Sequence, residues 1–337
     1  MGKVVLVTGG SGLVGSALQH VINTEPRGSA YGAKEGEEWV FLRSQDADLR
    51  DFEQTKKAFE KYKPSYVIHL AARVGGLFAN MAGNHTFLRE NILMNDNVLQ
   101  NAHDFKVEKV ISCLSTCVFP DKVSYPLTES SVHLGPPHPS NFGYSHAKRL
   151  VDVQNQAYNA QYGDRFTSVI PTNVFGQFDN YDLRDAHVIP ALIHRTYLAK
   201  QDNTPLTIAG TGKPLRQFIY SRDLAKLMIW ALRSYEDIDP VILSVPEEQE
   251  ISIKDVADAI VQATGFKGEV VYDSSRADGQ FRKPASNAKL VKLMKESGSE
   301  PFEFTPFQQA LKESVEWFVE NYDKGARVGK HPTTNGV

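Results

Sequence analysis

The hydrophobic pattern changes period several times along the chain. Lys3 to Val7 is a β-branched apolar run. Thr8-Gly9-Gly10-Ser11-Gly12-Leu13-Val14-Gly15 follows, and Ser16 to Ile22 then has apolar positions at helical spacing. This reads as strand, turn, helix. Thr24 to Glu38 is polar and punctuated by glycine, a surface loop, and Trp39 to Leu42 is a second strand. Phe52 to Lys63 puts Phe52, Ala58, Phe59 and Tyr62 on one helical face. Tyr66 to Ala72 reads as a strand with His69 in its middle, where a core role is expected. Asn84 to Phe105 reads as a long helix, Val110 to Leu114 as a buried strand, Tyr144 to Tyr162 as a helix, and Phe166 to Ile170 as another buried strand. Strands alternating with helices predict an α/β fold built on a Rossmann-like, doubly wound parallel sheet.

After Gly176 the pattern loosens. A helix through Ala199, a short strand at Leu206 to Ile208, a strand and helix from Phe218 to Leu232, a strand at Val241 to Val245 and helices at Ile253 to Thr264 and Phe307 to Tyr322 are expected. Residues 1–175 are read as the nucleotide-binding domain, with 217–246 returning to it. Residues 176–322 are read as a smaller, interwoven mixed α/β substrate domain, and 323–337 as a flexible tail.

Composition narrows the partners. The chain has 337 residues and a net charge of −3, which gives no reason to expect nucleic acid or an anionic membrane. No apolar run approaches the roughly 20 residues of a membrane helix, and strand-like sequence begins directly at the N-terminus, so a cytoplasmic protein is the simplest reading. The two cysteines, Cys113 and Cys117, lie four apart. On one strand that separation, roughly 13 Å, is too long for a disulfide, and neither has metal-ligand spacing, so both are expected as free thiols.

Candidate chemistry falls at two places. Gly9, Gly12 and Gly15 stand at a strand-to-helix turn, where the first permits the turn, the second lets backbone approach a pyrophosphate and the third lets helix pack on strand. Gly10, Ser11, Leu13 and Val14 complete that loop. Arg43, at the end of the second strand, suits the 2′-phosphate of NADP; Asp46 and Asp48 nearby keep NAD open. Farther on, Tyr144 and Lys148 are four apart and share a helical face, so the ammonium should make the phenol easier to ionise. Ser115 lies at the end of the buried strand before them.

Thr8 to Gly15 together with Tyr144-Ser145-His146-Ala147-Lys148 resembles the extended short-chain dehydrogenase/reductases that act on nucleotide sugars. Ser115-Thr116-Cys117-Val118-Phe119-Pro120, Asn141-Phe142-Gly143-Tyr144 and Pro171-Thr172-Asn173-Val174-Phe175-Gly176 with His187 are similar to the GDP-L-fucose synthases, over nearly the whole chain. The resemblance implies GDP-4-keto-6-deoxy-D-mannose as substrate, epimerised at C3 and C5 and then reduced at C4 by NADPH, and a homodimer. It implies Ser115, Tyr144 and Lys148 for reduction, with Cys117 as base and His187 as acid for epimerisation. It places Lys148, Pro171, Thr172, Asn173, Val174 and His187 on the cofactor, and Arg195, Ala209, Arg216, Asp278 and Lys283 on the substrate. Relatives often carry Trp where this chain has Ala209. His187 could instead be a structural cap of the helix it precedes, and His146 is expected to face away from the site.

Two classes of alternative compete: another nucleotide-sugar enzyme, either a 4,6-dehydratase or a 4-epimerase, and a non-catalytic sensor. A 4,6-dehydratase with bound NAD would be expected to carry an acidic pair after the Ser/Thr position, where Thr116-Cys117 stand. A 4-epimerase has no use for a second acid–base couple. A non-catalytic NADP sensor would be expected to lose Tyr144 or Lys148, and both are present.

Overall fold

The structure, a computed structural model, describes residues 2–276, 278 and 280–329. The first half runs β1 (Lys3–Thr8), α1 (Leu13–Thr24), β2 (Glu37–Leu42), α2 (Phe52–Tyr62), β3 (Tyr66–His69), α3 (Leu77–Asp104), β4 (Lys109–Cys113), α4 (Phe142–Tyr162) and β5 (Phe166–Pro171). The second half runs β6 (Asn173–Phe175), α5 (Val188–Asp202), β7 (Leu206–Ala209), β8 (Leu215–Arg216), β9 (Phe218–Tyr220), α6 (Ser221–Ser234), β10 (Val241–Leu243), β11 (Ile251–Ser252), α7 (Ile253–Thr264), β12 (Val270–Asp273), α8 (Ala288–Glu296) and α9 (Phe307–Asn321).

Six strands form one parallel sheet in the order β10-β5-β4-β3-β1-β2. Their apolar runs are explained by burial on both faces, as expected for strands covered by helices on each side. Val5 and Val7 point into a core with Ala17, Leu18 and Val21 of α1 and Leu224 to Leu232 of α6. Leu6, between them, points the other way, to Phe59 of α2, Val98 and Leu99 of α3 and Val151 of α4. The alternation follows directly from the two-residue repeat of a strand. A third core, with Ile189 and Ile193 of α5, Ile260 of α7 and Val315 and Phe318 of α9, holds the smaller lobe together.

Register decides where the site can be. Thr8 pairs with Leu42 and with His69, His69 with Ser112, Cys113 with Val169, and Pro171 with Leu243. All these strands end at one edge, so the segments beginning at Gly9, Arg43, Leu70, Leu114 and Thr172 leave the sheet together. The order of the strands reverses at β1, between β2 and β3, the crevice where open α/β sheets bind ligands.

Several expectations change. The helix expected from Asn84 begins at Leu77 and is broken at Gly83, whose φ of −128° and ψ of 25° interrupt the helix. Cys117 is not on a strand: β4 ends at Cys113, and Cys117 lies in a single 3-10 turn, Thr116–Val118. Both thiols are free. Residues 323–329 of the expected flexible tail are docked, because the Tyr181 amide donates to the Arg327 carbonyl at 2.9 Å and the Arg327 guanidinium donates to the Phe178 carbonyl at 2.6 Å. Residues 330–337 lie outside the described ones. Among the described residues no helix is long and apolar enough to cross a membrane.

Candidate active site

The glycine loop is built by close approach. Gly9 has φ of +69°, which an L side chain rarely adopts, and a Cβ there would sit 2.9 Å from the Ala71 amide. A Cβ on Gly10 would lie 2.7 Å from the Phe41 side chain, and one on Gly15 would lie 2.4 Å from the Gly9 carbonyl oxygen. Gly12 is different: the nearest atom to its Cβ would be the Gly9 oxygen at 3.3 Å, and its outer side is open. Gly12 is also the N-cap of α1 and offers no side-chain cap, so the N–H groups of the first turn remain free for an anion. Ser11 is exposed and Leu13 and Val14 are half-buried beside it. These residues therefore form a cradle of the shape a dinucleotide pyrophosphate requires.

Arg43 follows β2 and is exposed. Its guanidinium Nε donates to Asp46 Oδ2 at 3.2 Å, and its amide donates to the same oxygen at 2.9 Å. The loop is next door, since the Gly10 amide donates to the Leu42 carbonyl at 2.8 Å. His69 stays in the core as expected. It is bound on both ring nitrogens, by Thr8 Oγ1 at 2.8 Å and Asn95 Oδ1 at 3.0 Å, and burial pushes it down to about 3.

Ser115 ends the extended backbone of β4 and caps the turn that follows, its Oγ accepting from the Cys117 amide at 3.4 Å. Tyr144 and Lys148 reach the same place from α4. The Lys148 ammonium donates to the Cys113 carbonyl at 2.7 Å and stands 5.9 Å from the centroid of the Tyr144 ring. The expected easing of the phenol's ionisation is not what the structure shows. Burial, and after it the negative charge available at Cys117 and Cys113, holds the Tyr144 hydroxyl well above its usual range. Burial likewise lowers Lys148, opposed by the two thiols. The phenol is thus kept protonated, which is the state a proton donor needs. His146 is exposed on the other side of α4, away from both.

Cys117 is half-buried at the centre of this arrangement. Its sulfur is an electrostatic neighbour of Tyr144, Lys148, Arg149 and Lys283. Lys283 is lowered by burial, raised by Cys117 and lowered again by Arg216, so Arg216 belongs to the same cluster. The Leu215 amide donates to the Phe281 carbonyl at 2.8 Å, which fixes the Lys283 segment beside β8. His187 is the N-cap residue of α5 but makes no side-chain cap bond, so the purely structural reading loses its support. The residue retains exposed surface, and desolvation by the protein packed around its imidazole pushes it below its ordinary value. The loop leaving β3 touches its neighbourhood, the Gly76 amide donating to the Asp185 carbonyl at 3.0 Å.

Pro171 and Thr172 are buried at the end of β5. The Thr172 hydroxyl is buried without a hydrogen-bond partner among the described residues. Asn173 is exposed and its amide group donates to the Gln217 carbonyl at 2.8 Å; Val174 is half-buried. Arg195 and Ala209 lie apart from the Cys117 cluster and line one cavity of about 280 Å³, together with Asp202, Thr207, Asp273 and Arg276. Asp278 does not line it. Its two carboxylate oxygens accept from the Thr211 amide and hydroxyl, each at 2.6 Å, and thereby hold the Gly210-Thr211 turn that follows Ala209.

Three residues of these surroundings escaped the sequence reading: Arg149, Arg276 and Glu250. Arg149 directly follows Lys148, and only the packing of α4 against the Cys117 turn brings it in. The Glu250 carboxylate is 3% exposed and ion-pairs with Arg282, and it is an electrostatic neighbour of Arg216 because β11 pairs with β8, bringing together residues far apart in sequence.

The comparisons with known proteins follow the same lines. A family model, the NAD dependent epimerase/dehydratase family, matches residues 5–245. The GDP-L-fucose synthase of Dictyostelium discoideum is 57% identical over 95% of this chain and 97% of its own length. The probable GDP-L-fucose synthase of Drosophila melanogaster is 52% identical over 96% of this chain and 100% of its own. Among solved structures, a GDP-L-fucose synthetase from Naegleria fowleri, bound to NADP, is 49% identical with a TM-score of 0.89, covering 96% of this chain and 95% of that one. The chain belongs to the NAD dependent epimerase/dehydratase family and, within it, to the GDP-L-fucose synthases.

Proposed function

We propose that this chain converts GDP-4-keto-6-deoxy-D-mannose to GDP-L-fucose, epimerising C3 and C5 and then reducing the C4 ketone with NADPH. The observation that carries the reading is the placement of Cys117. A thiol capable of acid–base work sits two residues from Ser115 and is an electrostatic neighbour of both Tyr144 and Lys148. A plain reductase has no need of it.

The residues present fit NADPH. The glycine loop and the free first turn of α1 would hold the pyrophosphate, and Arg43 would bind the 2′-phosphate in competition with Asp46. Lys148, His187 and Pro171 to Val174 would border its other end, with the unpartnered Thr172 hydroxyl available to it. When bound, NADPH supplies the hydride. The protein supplies the rest. The carbons at C3 and C5 each flank the ketone, so loss of their protons gives an enolate with its charge on O4. Ser115 and Tyr144 donate hydrogen bonds to that oxygen, as in an oxyanion hole. Cys117 takes the proton from one face and His187 returns one to the other. Thiolate–imidazolium and thiol–imidazole forms of the pair carry the same number of protons, and an anionic diphosphate in the cleft favours the charged histidine. Tyr144 then gives its proton to O4 as the ketone is reduced, and Lys148 compensates the phenolate left behind.

Arg216 and Lys283, cations next to Cys117, suit the diphosphate of the substrate. Arg195 and the cavity beside Ala209 suit its nucleoside, with Asp278 fixing the turn at the cavity's edge. In this reading residues 1–175 and 217–246 form the cofactor lobe and the remainder the substrate lobe. The chain acts as a homodimer: α4, packed on α3, leaves Phe142, Leu150 and Val153 exposed along one side, a face suited to two-fold pairing. The two free thiols suit a reducing, cytoplasmic setting.

The test is direct. Protein, GDP-4-keto-6-deoxy-D-mannose and NADPH are incubated in deuterated water and the product is identified by NMR. GDP-L-fucose labelled at C3 and C5 is expected. A reduced sugar that keeps its original C3 and C5 configuration overturns the epimerase half, and an unreduced one overturns the reductase half.

A further inference from the structure

Helix α4 carries Tyr144 and Lys148 on its first two turns, so where that helix begins decides where both side chains stand. The first N–H groups of a helix have no partner within it and need one from outside. Asn141, the N-cap residue of α4, makes no side-chain cap bond. The acceptor comes from α3 instead. Asn84 Oδ1 accepts from the Gly143 amide at 3.0 Å, in the residue immediately before Tyr144. Asn84 is half-buried and directly follows the break in α3 at Gly83. Gly143 is buried, and a Cβ there would lie 2.1 Å from the Asn84 carbonyl oxygen and 2.9 Å from its carbon. The two segments therefore meet through backbone as well as through the side chain. The neighbouring asparagines of α3 serve other places. Asn80 donates to the Gly75 and Gly76 carbonyls, and Asn91 binds both the amide and the carbonyl of Arg73, all in the loop leaving β3. Asn95 meets α4 one turn later, donating to the Ala147 carbonyl at 3.3 Å.

We propose that Asn84 is a positioning residue for the reduction, an external cap that fixes the first turn of α4 and with it the Tyr144 hydroxyl. The inference rests on the proposed role of Tyr144 as proton donor to O4. Lys148, one turn on, is held separately by the Cys113 carbonyl at 2.7 Å, so loss of the cap loosens the phenol more than the ammonium. Cys117 is set by the 3-10 turn after β4, which Ser115 caps. The cap therefore serves reduction more than epimerisation. Displacing a reacting group by about 1 Å can cost on the order of 100-fold in rate, so a modest shift of this turn is enough to be seen.

The experiment compares Asn84→Leu and Asn84→Asp in the full-length protein. Leucine keeps the volume and removes the acceptor. Aspartate keeps the acceptor and adds a charge that a helix N-terminus favours. NADPH oxidation is measured with GDP-4-keto-6-deoxy-D-mannose. Solvent-deuterium exchange at C3 and C5 is measured with NADP+ in place of NADPH, so that reduction does not compete. For Asn84→Leu, kcat for NADPH oxidation should fall about tenfold with KM nearly unchanged, and exchange should fall about twofold at most. Asn84→Asp should stay within about twofold of the unaltered protein in both assays. Gly143→Ala strains the same contact from the other side and should lower the ratio of reduction to exchange as Asn84→Leu does. In a Tyr144→Phe protein, Asn84→Leu should slow reduction no further, because the hydroxyl it positions is gone. A contact that only stabilises the fold would lower both activities together and would be equally harmful with or without the hydroxyl. Either result overturns the proposal, as does an aspartate variant as slow as the leucine one. If Asn84→Leu does not fold, Gly143→Ala decides: a lowered ratio supports the proposal and an unchanged ratio overturns it. Tyr144→Phe separates the two levels. If it oxidises NADPH at the unaltered rate, the phenol is not the donor and the reductive reading fails together with the cap; if it is slow while Asn84→Leu is not, only the cap fails.

Discussion

Gly15→Ala tests the cofactor cradle quantitatively. In a free helix the change would help, by about 1 kcal/mol, because alanine is the better helix former. Here the added Cβ would lie 2.4 Å from the Gly9 oxygen and 2.7 Å from the Gly10 carbonyl carbon and oxygen. Ordinary contact begins near 3.4 Å, so the first turn of α1 and the glycine loop must separate by about 1 Å. The obstructing atoms are backbone, which cannot swing aside as a side chain would. An overpacking cost near the upper end of the usual range, about 3 kcal/mol, less the helical gain, leaves a net loss of about 2 kcal/mol. For a chain of 337 residues that lowers Tm by roughly 3 °C. The same 1 Å opens the anion cradle, so NADPH affinity should fall on the order of 100-fold. Thermal melts and fluorescence titration with NADPH measure the two effects. Gly325→Ala, where a Cβ meets nothing within 4 Å, is the control and should change neither. A Gly15→Ala protein that melts higher and binds NADPH normally would refute the close-approach account of the loop.

Three further outcomes are expected. Tyr144→Phe should slow NADPH oxidation by about 10²–10⁴-fold while C3 and C5 exchange suffers much less; equal losses would mean the phenol is not specific to reduction. Arg43→Ala should weaken NADPH about tenfold and leave NADH nearly unchanged, read by parallel titrations; an equal loss would show that Arg43 does not contact the 2′-phosphate. Asp179→Asn should stabilise the protein in a pH-dependent way. Burial raises this carboxyl from 3.8 to about 7, and its Oδ2 has no hydrogen-bond partner among the described residues. Between those values the native state keeps a proton that the unfolded chain releases, so native stability falls as pH rises from about 4 to 7 and is level above. Asparagine removes that slope, so its advantage should be near zero at pH 4 and greatest above pH 7, at most about 4 kcal/mol. Urea unfolding at both pH values checks this, and an advantage independent of pH would exclude the ionisation as its cause.

Legibility in the sequence followed the range of the interactions. β1, the glycine loop and α1 were readable because strand period, turn residues and helix period lie within about 20 consecutive residues. Tyr144 and Lys148 were readable because helical spacing alone puts them on one face. α7 was readable because its ends carry their own signals, Ser252 accepting from the Asp255 amide and Gly265 at φ +63°. β8 and β11 were not. Each is two residues long and exists only because Ile251 finds Arg216 across the smaller lobe. β12 was missed for a related reason: its Val270-Val271-Tyr272 run is short, and pairing with β7 makes it a strand. The Tyr144 ionisation was misread because spacing reports a neighbouring charge but not burial, and burial is the larger effect here.

By itself the sequence determined the doubly wound sheet and the glycine loop, since these depend on local period, and it supplied the candidate acid–base groups through residue chemistry and family resemblance. The tertiary structure decided their company. Parallel register brought the ends of β1, β2, β3, β4 and β5 to one edge, so loops more than a hundred residues apart face a single crevice. The 3-10 turn took Cys117 off the strand and set it among Lys148, Arg149 and Lys283. A pKa depends on which charges and how much water surround a group, and those are properties of packing, which no local pattern encodes.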